Sequence, residues 1–113
     1  MVLAAGKLDV ERLMSGDPAG KKFVSIVVGT SGTPPTEADT TITGSLVKSI
    51  ISVNYLTGFV QFNATLDAGD PAMVIQEIGL VNEDGVLCYR KVIPAVNKVA
   101  GTTYALAYKI KVQ

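Results

Sequence analysis

The sequence predicts a mainly β domain: an antiparallel β-sandwich or partly open barrel of about six strands, with a short N-terminal helix. Three observations carry that prediction. Residues 59–66 and 102–112 alternate apolar and polar side chains with a period of two, the mark of a half-buried strand. Turn-forming clusters at 54–58, 67–71 and 82–85 divide the second half of the chain at regular spacing. A chain of 113 residues with 48% hydrophobic and 18% charged side chains forms one domain, residues 1–113, and needs no metal or disulfide staple.

Each element has its own reason. Residues 3–14 form the helix: Leu3, Val10 and Leu13 or Met14 recur at roughly helical spacing, and Ser15-Gly16-Asp17-Pro18 ends it. Residues 23–28 are rich in β-branched side chains and form the first strand. Residues 29–44 hold Gly29, Gly32, Gly44, Pro34, Pro35 and six threonines, the composition of a loop. Loops of that length tend to be functional or to make contacts.

The second strand spans 46–53 and the third spans 59–66, where Val60, Phe62, Ala64 and Leu66 share one face. The fourth spans 73–81. Asn82-Glu83-Asp84-Gly85 then turns the chain, and its Asp-Gly pair predicts a hairpin turn with positive φ at both central residues. The fifth strand covers 86–93, and residues 94–101 form a loop or a bulged crossing. In the sixth, Tyr104, Leu106, Tyr108, Ile110 and Val112 face the core, and Lys109 and Lys111 face out as guards of an edge.

The composition excludes several chemistries. There is no histidine and a single cysteine, so Ser-His-Asp and Cys-His catalysis, His-ligated metals and an intramolecular disulfide are absent. Ten bases balance ten acids, five against five in residues 1–56, so no basic field gathers nucleic acid. No apolar run approaches a membrane span. Zero net charge with positive mean hydropathy favours burial of surface in an assembly.

Four constellations bear on chemistry. Gly29-Thr30-Ser31-Gly32-Thr33 has the small residues of a phosphate loop, but Pro34-Pro35 follows where a helix should begin. Asp67 and Asp70 lack a third carboxylate for calcium, and Asp70 reads as the cap of a turn before Pro71. Cys88, with Arg90 two residues on, reads as a half-buried structural thiol. The aromatics are few and tryptophan is absent, which disfavours a carbohydrate platform. No catalytic, metal or cofactor site is expected.

Glu77-Ile78-Gly79-Leu80, with Asp84-Gly85 and Leu87, resembles the "EIGLF-x-x-DG-x-L" segment of the N-terminal domains of phage tail-fibre and tail-collar fibre proteins. Upstream, Ile26-Val27-Val28-Gly29-Thr30 with Pro35-Thr36, Asp39-Thr40 and Ile42 is similar to the family's "G-x-G … P-t-x-x-D-T-x-L" stretch. Downstream, Pro94 and Lys98 to Thr102 resemble its "P-x-x-K-x-x-G-t" ending. The ordered set covers nearly the whole chain. Val81 departs from it, standing where an aromatic is common.

The resemblance implies a non-enzymatic structural protein of a phage or phage-like tail. It would attach or adapt a fibre to the baseplate, reside in the virion after synthesis in the host cytoplasm, and contact other tail or baseplate proteins, as a homo-oligomer (a trimer or a ring). A fibre would continue past Gln113 into a shaft and tip, so only attachment carries over. The expected assembly loop comprises Gly29, Thr30, Gly32, Pro34, Pro35, Thr36, Asp39 and Thr40, with the N-terminal helix as a second contact element. Deleting residues 33–40 is expected to spare the fold and to abolish incorporation. The alternatives are a virion decoration or tail-tip component and a small carbohydrate- or surface-binding module.

Overall fold

In a computed structural model, which describes residues 2–111, seven strands form two antiparallel sheets behind one short helix. After a 3-10 turn at Ala4–Gly6, α1 spans Lys7–Ser15. The strands are β1 Phe23–Gly29, β2 Leu46–Ser49, β3 Ser52–Leu56, β4 Phe59–Leu66, β5 Met73–Asn82, β6 Leu87–Lys98 and β7 Tyr104–Lys111. One sheet runs β2-β1-β5-β6 and the other β3-β4-β7, so the sandwich is the form adopted. Val112 lies outside the described residues.

The alternating segments build the core between the sheets. Ile26, Val28, Ile78 and Leu80 face Ala64, Leu66, Leu106 and Tyr108, all buried. Removal of this apolar area from water is the main force holding the sheets together. At one end Phe23 stands edge-on to Phe62 and to Tyr89, with centroids 5.5 and 5.7 Å apart, and so ties β1, β4 and β6 together. Of the two tyrosines expected in the core, Tyr108 is buried and Tyr104 is 37% exposed.

Several details differ from the sequence reading: the helix read over residues 3–14 begins only at Lys7, after the 3-10 turn, and runs to Ser15. Residues 46–53 are two strands of different sheets: the Ile50 N–H donates to Val24 of β1, and the Ile51 N–H donates to Asn63 of β4. The chain therefore changes sheets between adjacent residues, which raises the strand number to seven. Residues 54–56, read as turn, complete β3. Of the two readings for residues 94–101, a loop or a bulged crossing, residues 94–98 follow the second: they continue β6 past an irregularity between Ile75 and Glu77 of β5, where Pro94 is accommodated. At the Asp84-Gly85 hairpin only Gly85 has positive φ, because the turn runs from Asn82 to Gly85 with Gly85 at its end.

The outer face of the first sheet carries a smaller apolar layer. Leu3, Val27, Ile42 and Leu87 bury one another there, joined by Val81. A register shift at Leu80/Val81 leaves Cys88 as the extra residue on β6, facing Gly6 of the N-terminal segment. The Leu3 N–H donates to the Cys88 carbonyl at 2.8 Å, and the chain start covers this edge of the sheet. α1 ends where the Gly16 and Asp17 N–H groups return to Leu13 and Arg12. Buried Asn82 joins helix to hairpin: its Nδ2 donates to Asp9, and its Oδ1 accepts from Asp84 and Val86 N–H.

Candidate functional site

The connection from β1 to β2 crosses the outer face of the first sheet and is fixed at both levels, polar and apolar. Arg90, the fourth residue of β6, projects beneath it. Its Nε donates to Glu77 Oε1 at 3.1 Å, its Nη1 to Asp39 Oδ2 at 3.1 Å and its Nη2 to the Thr33 carbonyl at 3.0 Å. Glu77 Oε2 in turn accepts the Ser31 N–H. Arg90 and Glu77 are both buried, so the pair gains from a low dielectric and pays for it in desolvation.

The loop also organises itself. The Thr36 N–H and hydroxyl each donate to the Asp39 carboxylate at 3.0 Å, and the Asp39 N–H returns to the Thr36 carbonyl. The Thr36 backbone donor, followed by other polar contacts and the Arg90 charge, holds the Asp39 carboxyl below its ordinary range. The Glu37 carbonyl accepts the Ala4 N–H at 2.8 Å, which joins the loop to the chain start.

The apolar anchor is Ile42. It is 8% exposed and lies over Gly29 and Gly79. A Cβ on Gly79 would sit 2.6 Å from the Tyr89 carbonyl oxygen and 3.1 Å from Ile42 Cδ1; one on Gly29 would overlap Ile42 itself. Both positions therefore require glycine so that loop and sheet can approach.

These contacts place the expected site residues. Glu77 and Asp39 meet through Arg90. Gly29 and Gly79 form the seat for Ile42, while Ile78 and Leu80 belong to the main core. Asp84 and Gly85 form the hairpin turn. Thr30 donates to the Thr43 carbonyl, and Gly32 packs beside the Gln76 side chain. Thr30, Gly32, Pro34, Thr36 and Thr40 face solvent, and Pro35 is half-buried. The loop is thus a clasped surface feature that contributes to the core, in contrast to a purely peripheral loop.

Two further expectations change. Deleting residues 33–40 would remove two acceptors of buried Arg90, so it would not leave the fold intact. Cys88 is fully buried, not half-buried, and Arg90 serves Glu77, Asp39 and Thr33. Burial first, then the Asp9 charge, pushes the Cys88 thiol up to about 11. The N–H groups of Thr30 and Ser31 go to Thr43 and to the Glu77 carboxylate.

Arg90 and Ile42 were missed as site residues. Each left a faint trace in the sequence: the first charge after the uncharged run 85–89, and a lone aliphatic among threonines. The Asp70 cap is present, with the Asp67 N–H donating to Asp70 Oδ2 at 2.7 Å. Lys48 bridges Asp67 and Asp70 at 3.1 and 3.0 Å. Beside α1, Leu13, Met14, Phe23, Val60 and Ile110 line an open apolar groove of about 570 Å³. Among the described residues, no helix is long and apolar enough to cross a membrane.

Fold and site together define a small two-sheet β protein with a clasped loop over one sheet. No family model, curated protein or solved structure matches the chain.

Proposed function

We propose that this chain is a non-enzymatic structural component of a phage or phage-like tail, which attaches or adapts a fibre to the baseplate through protein–protein contacts. One observation supports the reading above others. Two of the three stretches that carry the tail-fibre resemblance pack on one another: Glu77 and Asp39 share Arg90, and Gly29 and Gly79 seat Ile42.

The clasp presents a rigid surface, which lowers the ordering cost of docking. Exposed Thr36, Glu37, Ala38 and Thr40 form its crest, and α1 adds exposed Leu8 and Met14. In this reading the protein is made in the host cytoplasm and resides in the virion tail beside baseplate proteins.

Mass spectrometry of purified particles from an induced culture of the source strain tests the reading. The expected result is co-sedimentation with tail proteins at low copy number. Copy numbers on the scale of a lattice would instead make it a decoration protein. Absence from particles would overturn the assignment to a tail. The paired substitutions Ala38→Arg and Thr40→Arg, both at exposed positions, are expected to preserve folding and reduce incorporation.

A further inference from the structure

We propose that two copies of this chain pair through the free edge of β3, antiparallel about a two-fold axis at Asn54, to form one continuous six-stranded sheet. This inference stands apart from the tail assignment.

The four sheet edges are treated differently. β6 is covered at Cys88 and Tyr89 by the N-terminal segment, through the Val2–Tyr89 bridge and the Leu3–Cys88 hydrogen bond, and further along it carries Pro94. β7 carries exposed Lys109 and Lys111. β2 carries Lys48, fixed in its ion pairs. Lysines and covering segments are the usual means of blocking edge-to-edge pairing. β3 has neither: Ser52-Val53-Asn54-Tyr55-Leu56 is uncharged, lacks proline and pairs only with β4.

The freedom from charge extends well beyond the strand. Residues 49–66, the whole interval between Lys48 and Asp67, contain no acid or base. No cross-strand neighbour of β3 therefore repels a second copy: Gln61 and Asn63 are its polar partners on β4. The edge is also apolar. Tyr55 is 84% exposed, Leu56 45% and Val53 37%, although Val53 and Tyr55 lie on the core-facing side of their sheet, opposite Phe62 and Val60.

The occupant follows from self-complementarity. With Asn54 on the axis, Val53 faces Tyr55 of the second copy, a β-branched side chain against an aromatic, a favourable cross-strand pair. Ser52 faces Leu56, and the two Asn54 residues face each other. The contact is the same patch on both copies and closes at two, so it produces a dimer and not a trimer or ring.

Sedimentation of the full chain over a wide range of concentration tests the proposal. The expected mass rises to twice the 11.8 kDa of one chain. Asn54→Lys sets like charges opposite each other and is expected to give a monomer with unchanged circular dichroism. Mixing Asn54→Lys with Asn54→Asp is expected to restore the pair. Asn54→Cys is expected to form a disulfide-linked dimer on oxidation, a result that does not depend on the lysine variant folding. A wild type that stays monomeric or assembles as a trimer, a lysine variant that still dimerises, or a mixture that fails to pair would each overturn the proposal.

Discussion

Arg90 Nε lies 3.1 Å from Glu77 Oε1, and the two side chains are only 4% and 1% exposed. A buried pair of this kind contributes little beyond what apolar side chains of equal volume would, but breaking it leaves a charge stranded. Arg90→Met is therefore expected to cost about 3–5 kcal/mol, a large part of the stability of a small domain. The double variant Glu77→Leu/Arg90→Met should recover much of that loss. Urea midpoints for the two singles and the double check this; additive losses would contradict it.

Ile42 connects the loop to the sheet. Ile42→Ala removes a buried side chain and is expected to cost about 2–4 kcal/mol. Loss of the anchor should also expose residues 30–45 to protease before the sheets unfold. The clasp account fails if the variant is as stable and as protected as wild type. Gly79→Ala approaches the same seat from beneath. Its Cβ would meet the Tyr89 carbonyl, which belongs to a paired strand, so about 1–3 kcal/mol should be lost.

The buried Cys88 thiol should be inert in the native state. It is closed to water, and its Sγ donates weakly to the Val86 carbonyl at 3.5 Å. A thiol-reactive dye at mildly alkaline pH is expected to react only after denaturant is added. The pH effect has a definite sign. With the folded thiol pushed up to about 11, the unfolded chain releases its proton first as pH rises. Stability is thus fully present below the unfolded thiol's range and falls as pH climbs through the folded value. Cys88→Ala should flatten that alkaline decline, as measured by thermal melts on the two proteins.

How much of this was legible in the sequence depended on the range of the interactions. β4 and β7 were readable because their own alternation reports the face each residue takes, and Ala64–Leu106 and Phe62–Tyr108 pair as that alternation requires. The break between β2 and β3 was not readable. Two isoleucines, Ile50 and Ile51, make the crossing by sending successive N–H groups to different sheets, and neither residue type marks a turn. Pro94 left a loop and a bulged crossing both open, since its missing N–H suits either, and β6 carries it at an irregularity in the pairing. The clasp was hidden for a third reason. Asp39 and Arg90 lie 51 residues apart, and no local pattern links them.

The ion pairs of Lys48 predict the behaviour in acid. The Lys48 hydrogen bond first, then the Asp67 backbone N–H, hold the Asp70 carboxyl below its ordinary value. The unfolded chain therefore binds this proton more readily than the folded one. Stability from Asp70 is present above the ordinary carboxylate range and is lost as pH falls through the lowered folded value. Wild type should lose more thermal stability than Asp70→Asn between neutral pH and strong acid. High salt should narrow the difference, because Lys48 and Asp67 are partly open to solvent and screening reaches them. Equal acid sensitivity in the two proteins would place the acid-labile groups elsewhere, with Asp39 next to be tested, as its carboxyl is held down in the same direction by Thr36 and Arg90.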